Sequence, residues 1–251
     1  MSNDDLGSTV AGLLAWTMGW RQGPGEFGGL YLHSCWGATG VLQRRYQGVT
    51  VSSYHSLIPA FLGLYRRTGD EGFLREVLSM VDLLERLQMP DGCFDHSAYE
   101  GEPGKGTVIC NARADLGLLH MAEHMGEGKL KGRIFGIVKR NLDWFGSYWW
   151  KRGNAWKGKV DYPAWCAVTN QDLCVAWAML KYGQLSGDMS YFERYGRPAV
   201  FWILENAYLP ELVHVFHHLP ESLNVLLQKP LGRLVASVVR TALSTEVVAP
   251  I

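Results

Sequence analysis

The chain has 251 residues, of which 47% are hydrophobic and 19% charged, and Lys plus Arg and Asp plus Glu each count 24. That length and apolar fraction support one or two packed domains and exclude a disordered chain, while a net charge of zero supplies no electrostatic footprint for nucleic acid. Five cysteines, Cys35, Cys93, Cys110, Cys166 and Cys174, are odd in number and form no CxxC, the usage of a reducing compartment rather than of a disulfide scaffold. The start, MSNDDLGSTVAGLLAW, has no basic stretch ahead of its short apolar one, and no run of about 18 apolar residues occurs. No secretory signal and no membrane partner are expected, and the default compartment is cytoplasmic.

The first predicted element is a helix from Asp4 and Asp5 to Trp16, with its acids in the first turn, where the helix dipole favours negative charge. A Gly-rich string, Gln22-Gly-Pro-Gly-Glu-Phe-Gly-Gly, follows. A helix over His55 to Tyr65, a Gly69-Asp70 turn and a helix over Phe73 to Leu87 then make a hairpin, with Leu57, Phe61, Leu64 and Tyr65 on one face and Val77, Met80, Val81 and Leu84 on another. Gln88-Met-Pro-Asp-Gly-Cys-Phe echoes the earlier Gln22 string. Gly101-Glu-Pro-Gly-Lys-Gly lacks the ending of a phosphate loop and reads as a mobile lid or insertion.

The same phrase returns twice. Asn111 to His124, Gly126-Glu127 and Ile134 to Phe145 form its second copy; Asn170 to Leu185, Gly187-Asp188 and Tyr191 to Leu204 form its third. The turns fall at 69, 126 and 187, a period of 57 and then 61 residues, which is the length of one helical hairpin plus a long return loop. The first helix of each pair is small or apolar nearly all round, as in Leu116-Gly-Leu-Leu, and is read as inner. The second carries pairs such as Glu85-Arg86 and Lys139-Arg140 and is read as outer. Beyond Tyr208, Pro210, Pro220, Pro230 and Pro250 break the pattern. Residues 1–208 are therefore read as one helical-hairpin domain, and 209–251 as a tail or capping segment.

Gly69-Asp70 with Phe73-Leu74, followed by Leu87-Gln88-Met-Pro-Asp-Gly-Cys-Phe-Asp, resembles the (α/α) toroid proteins, which include six-hairpin glycoside hydrolases and the helical domains of polysaccharide lyases. The resemblance covers roughly residues 5 to 206 and singles out no family. It implies an all-α fold, a partial or complete (α/α) toroid, and the chain has room for about half to two thirds of a six-hairpin ring. Gln88-x3-Gly92-x-Phe94 also resembles the Gln-x3-Gly-x-Trp element of terpene cyclases, but no Asp-rich acid motif accompanies it.

In such a toroid the long loops lead into the N-termini of the inner helices, so the polar residues at those junctions are the candidates. They are Tyr54 and His55; Asn111, Arg113 and Asp115; and Asn170, Gln171 and Asp172. Asn111, Asn170 and Asp172 are also good helix caps, and capping alone accounts for their residue types. Two carboxylates serve a glycosidase as acid and as base or nucleophile, and Asp115 with Asp172 is the favoured pair. A lyase instead needs a group to neutralise a substrate carboxylate, a base and an acid. Asn111 or Arg113 fits the first role, and His55 or His96 with Tyr54, Tyr99 or Tyr162 fits the others. Trp36, Trp165 and further loop tryptophans either stack on sugar rings or wedge helices together.

No cofactor is expected, since the Gly-Lys-Ser/Thr ending of a phosphate loop and Gly-x-Ser-x-Gly are both missing. No metal is expected either: His33-x-Cys35, Cys93-x-x-His96 and His214-x-x-His217-His218 hold ligand types without zinc-module spacing. The expected activity is carbohydrate processing on an acidic oligosaccharide, hydrolysis ahead of elimination. A non-catalytic helical-repeat binding module is the alternative from a different class.

Overall fold

The computed structural model describes residues 3–28, 32–37, 40–45, 49–97, 106–151, 154–156, 166–206, 208–209, 214–215 and 218–220; along 32–37 and 40–45 the description is of the backbone. Two compact units, Met1–Asn141 and Leu142–Ile251, divide the chain. Among the described residues no helix is long and apolar enough to cross a membrane.

The first unit opens with α1 (Asn3–Met18), most of whose described side chains face solvent. Two small antiparallel hairpins follow, β1 (Arg21–Gly23) with β2 (Glu26–Phe27) and β3 (Leu32–Gly37) with β4 (Gly40–Arg45). A 3-10 turn over Val51–Ser53 leads into the helices α2 (Tyr54–Thr68), α3 (Glu71–Leu87) and α4 (Val108–His124), and the unit ends within α5 (Lys129–Ser147). Leu57 and Phe61 of the α2 stripe read in the sequence are buried together with Ile58 and Leu62, whereas Leu64 and Tyr65 of that stripe are only partly buried. On α3, which packs on α2, the expected Val77, Met80, Val81 and Leu84 are all buried. Burying each such side chain stabilises the fold by roughly 1.5–3 kcal/mol before the entropy of ordering it is subtracted. Twelve of the 17 residues of α4 are buried, as expected of an inner helix packed on more than one side.

The Gly-acid phrase has a physical cause. Gly69 ends α2 in the left-handed conformation, φ 70°, and its N–H bonds the Tyr65 carbonyl at 2.7 Å. Asp70 then caps α3, its Oδ1 accepting the Gly72 N–H at 2.7 Å. The third copy repeats this: Gly187 has φ 82°, and Asp188 Oδ1 accepts the Ser190 N–H at 3.1 Å. The second copy differs. Glu127 ion-pairs with Lys131 at 2.6 Å, and α5 begins at Lys129, earlier than the apolar pattern from Ile134 indicates. Helix starts are set by backbone bonding, which the polar Lys129-Leu-Lys-Gly-Arg stretch satisfies without an apolar stripe.

The echo motif after α3 is a strap. Gln88 Nε2 donates to the Gly92 carbonyl at 3.1 Å and to the Ile137 carbonyl at 2.8 Å, and Arg140 Nε donates to Gln88 Oε1 at 2.7 Å. Gly92 has φ 95°, and a β-carbon there would lie 2.1 Å from the Arg140 carbonyl oxygen, so only glycine fits. Phe94 closes the strap, fully buried.

The second unit holds β5 (Trp149–Trp150) paired with β6 (Ala155–Trp156), then β7 (Cys166–Val168) and the inner helix α6 (Thr169–Ser186). Its outer helix starts with a π turn over Phe192–Gly196 and continues as α7 (Arg197–Asn206), packed on α6. Short strands β8 (Tyr208–Leu209), β9 (His214–Val215) and β10 (His218–Pro220) follow, and β10 pairs antiparallel with β7.

Candidate functional site

The start of α4 is set by Thr107, whose hydroxyl accepts the Cys110 N–H at 3.3 Å. Asn111 therefore lies one turn inside the helix, fully buried. Its Oδ1 accepts the Phe94 N–H at 2.8 Å and the Asn141 Nδ2–H at 2.9 Å, and its Nδ2 donates to the Thr107 carbonyl at 2.9 Å. Asn141 in turn donates to the Gly92 carbonyl at 2.8 Å. The side chain of Asn111 thus locks the strap to the inner helix.

Asp115, one turn further, has no exposure and neither carboxylate oxygen has a hydrogen-bond partner among the described residues. Burial pushes its pKa well above the usual carboxylate range. Tyr54 is equally buried, its hydroxyl donating to the Gly25 carbonyl at 2.8 Å, and burial raises its pKa.

His55 and Arg113 have a different setting. Only Ile109, Arg113, His120, Glu123 and His124 of α4 are not fully buried, and they trace one stripe. Arg113 and His120 lie two turns apart on it. Gly117 between them lets α4 approach the first turn of α2 so closely that a β-carbon would lie 2.6 Å from the Tyr54 carbonyl oxygen and 3.2 Å from the His55 nitrogen. His55 is half-buried, and its pKa is lowered first by burial, then by the charges of Arg113 and His120. The α2–α4 contact thus gathers an imidazole held toward its neutral form, a guanidinium and a second imidazole at a partly exposed face.

His96 sits in the loop after the strap with φ 55°. Its carbonyl accepts the Val51 N–H at 3.2 Å, which fastens that loop to the turn preceding α2, and its Nε2 lies 3.9 Å from Asp95 Oδ2. The side chain of Trp36, and Tyr99 and Trp165 altogether, lie outside the described residues.

In the second unit Asp172 is 2% exposed and accepts the Trp156 N–H at 3.0 Å. Burial pushes its pKa well up, with the bond from Trp156 opposing. Asn170, Trp177 and Gln184 are the exposed residues of α6, at intervals of seven, so they share one face. Trp177 is 52% exposed. The sequence reading passed over His120 and Trp177; the signal available was their seven-residue spacing from Arg113 and Asn170.

No protein-family model matches this chain, and no curated protein matches it in sequence. Among solved structures it is similar to a D-mannose isomerase (12% identity, TM-score 0.60, covering 88% of this chain and 56% of that one). It is also similar to a polysaccharide lyase (11%, TM-score 0.56, 80% and 63%) and to a sugar epimerase from a ruminal bacterium (12%, TM-score 0.55, 81% and 60%). The chain spans between 56% and 63% of the length of these three proteins. The likeness establishes the fold class: all-α, built of helical-hairpin repeats of the (α/α) toroid type.

Proposed function

We propose that this protein processes carbohydrate by moving a proton at a carbon atom next to a carbonyl or carboxyl group. Sugar isomerisation, epimerisation beside a carbonyl and elimination from a uronate all begin with that step, and the solved structures of similar fold include an isomerase, an epimerase and a lyase. The observation that carries the reading is the partly exposed α2–α4 face, where a half-buried His55 lies beside Arg113. A neutral imidazole there accepts the carbon-bound proton, and the guanidinium stabilises the negative oxygen that develops as it leaves. Hydrolysis asks for two carboxyl groups that reach the glycosidic bond. Asp115 and Asp172, at 0% and 2% exposure, supply that less readily than the His55 face supplies a base.

The substrate class in this reading is an acidic or reducing oligosaccharide. The test is a glycan panel followed by two signals together, new reducing ends and the absorbance of unsaturated uronates, with carbon-13 NMR for isomerised or epimerised sugars. Unsaturated or rearranged products that disappear in His55→Gln support the proposal. Reducing ends alone, lost in Asp115→Asn or Asp172→Asn and kept in His55→Gln, would replace it with hydrolysis.

A further inference from the structure

The last turn of α4 carries His120, Glu123 and His124, whose spacing of i, i+3 and i+4 places all three on one side of the helix. One ligand atom from each lies within 4.8 Å of the other two. Ligands of a single zinc-like ion stand roughly 3.3 Å apart, since imidazole nitrogen and carboxylate oxygen bind at about 2.0–2.2 Å. Small side-chain rotations close that difference. His120 Nδ1 already lies 3.9 Å from Glu123 Oε2, and the two imidazole rings are 4.5 Å apart.

Two further observations point to a cation. His124 Nδ1 lies 2.6 Å from the His120 carbonyl oxygen. A carbonyl only accepts, so Nδ1 holds the proton and Nε2 presents its lone pair, which is how metal-binding histidines are oriented through their second nitrogen. The cluster also occupies the carbonyl end of its helix, where the backbone dipole favours positive charge. His120 and Glu123 are 34% and 46% exposed at the side chain, which gives an ion a route in and leaves coordination positions to solvent.

We propose that His120, Glu123 and His124 bind one divalent cation of the zinc, cobalt and nickel class, which two imidazoles and a carboxylate suit better than magnesium or calcium. The site shares His120 with the α2–α4 face but does not rest on the reaction assigned to His55, and its test reads metal uptake rather than activity. Chelator-stripped full-length protein is titrated with Zn2+ by calorimetry and with Co2+ by visible absorption. One equivalent of each is expected, with Co2+ bands characteristic of nitrogen and oxygen ligands. His120→Ala and His124→Ala should each weaken binding at least about tenfold and Glu123→Gln less, while His217→Ala leaves it unchanged. No stoichiometric uptake, or uptake indifferent to both histidine substitutions, overturns the site. If a variant fails to fold, nitrogen-15 NMR of the wild-type imidazoles during Zn2+ addition decides. Shifts at His120 and His124 support the site, and shifts confined to other histidines overturn it.

Discussion

The guanidinium of Arg113 and the imidazole of His55 repel one another as cations across the α2–α4 contact, and with burial as the larger cause this holds the His55 pKa below its ordinary value. Replacing Arg113 by Gln removes one repulsive charge and leaves burial in place. The His55 pKa should therefore rise toward its usual 6.5 in Arg113→Gln, which NMR titration of the ring protons reads directly. A midpoint that stays put or falls would remove Arg113 from the vicinity of the base.

The same relationship sets an acid limb on activity. A base that must be neutral loses function as it gains a proton, so the acid limb of the rate should lie below the usual histidine value of 6.5 in the wild type and move back toward it in Arg113→Gln. His55→Gln should lower turnover by roughly 10²–10⁴-fold, the range supplied by a positioned general base, with unchanged thermal stability. Initial rates across pH for the three proteins check this.

Asp115 makes stability depend on pH in the direction opposite to acid denaturation. Its folded pKa is raised by burial above the ordinary 3.8, so the unfolded chain releases the proton first. Stability contributed by the protonated form is complete below 3.8 and is lost as pH rises toward the raised value, at about 1.4 kcal/mol per pH unit for one carboxyl. Asp115→Asn does not titrate and should gain on the wild type as pH rises from about 4, the difference between the two being constant below it. Urea unfolding at several pH values measures the difference, and parallel curves would contradict the burial of Asp115.

Much of the fold was legible because the punctuation is local. Gly69-Asp70 and Gly187-Asp188 reveal a left-handed helix end and an N-cap in two adjacent residues. Thr107 as the cap of α4 was not legible, since Asn111 is an equally good capping type; the Thr107 hydroxyl's bond from the Cys110 N–H and the Ser97–Thr107 backbone bond at 3.0 Å are what place the helix start there. The role of Gln88-x3-Gly92-x-Phe94 was hidden for a related reason: its partners Ile137, Arg140 and Asn141 lie about fifty residues away. At the site, residue type pointed to the junctions, but burial sorted them. His55 and Arg113 reach a partly exposed stripe, whereas Tyr54, Asn111 and Asp115 turn into the core, a difference of helical phase that no single residue type encodes.

The strap predicts its own stability effect. Asn111→Ala leaves the buried Phe94 N–H and one Asn141 donor bond unmet, and each buried group left unpaired costs roughly 1–3 kcal/mol. Asp70→Ala, which loses an exposed cap, should cost only about 0.5–2 kcal/mol. Denaturant midpoints should rank Asn111→Ala below Asp70→Ala, and the reverse order would refute the strap as a structural lock.

Proton transfer at carbon has one direct readout, incorporation of solvent deuterium into the sugar when the enzyme turns over in heavy water. The account predicts deuterium at the carbon next to the carbonyl or carboxyl group with the wild type and a loss of that label with His55→Gln. Unlabelled hydrolysis products formed at equal rates by both proteins would contradict it.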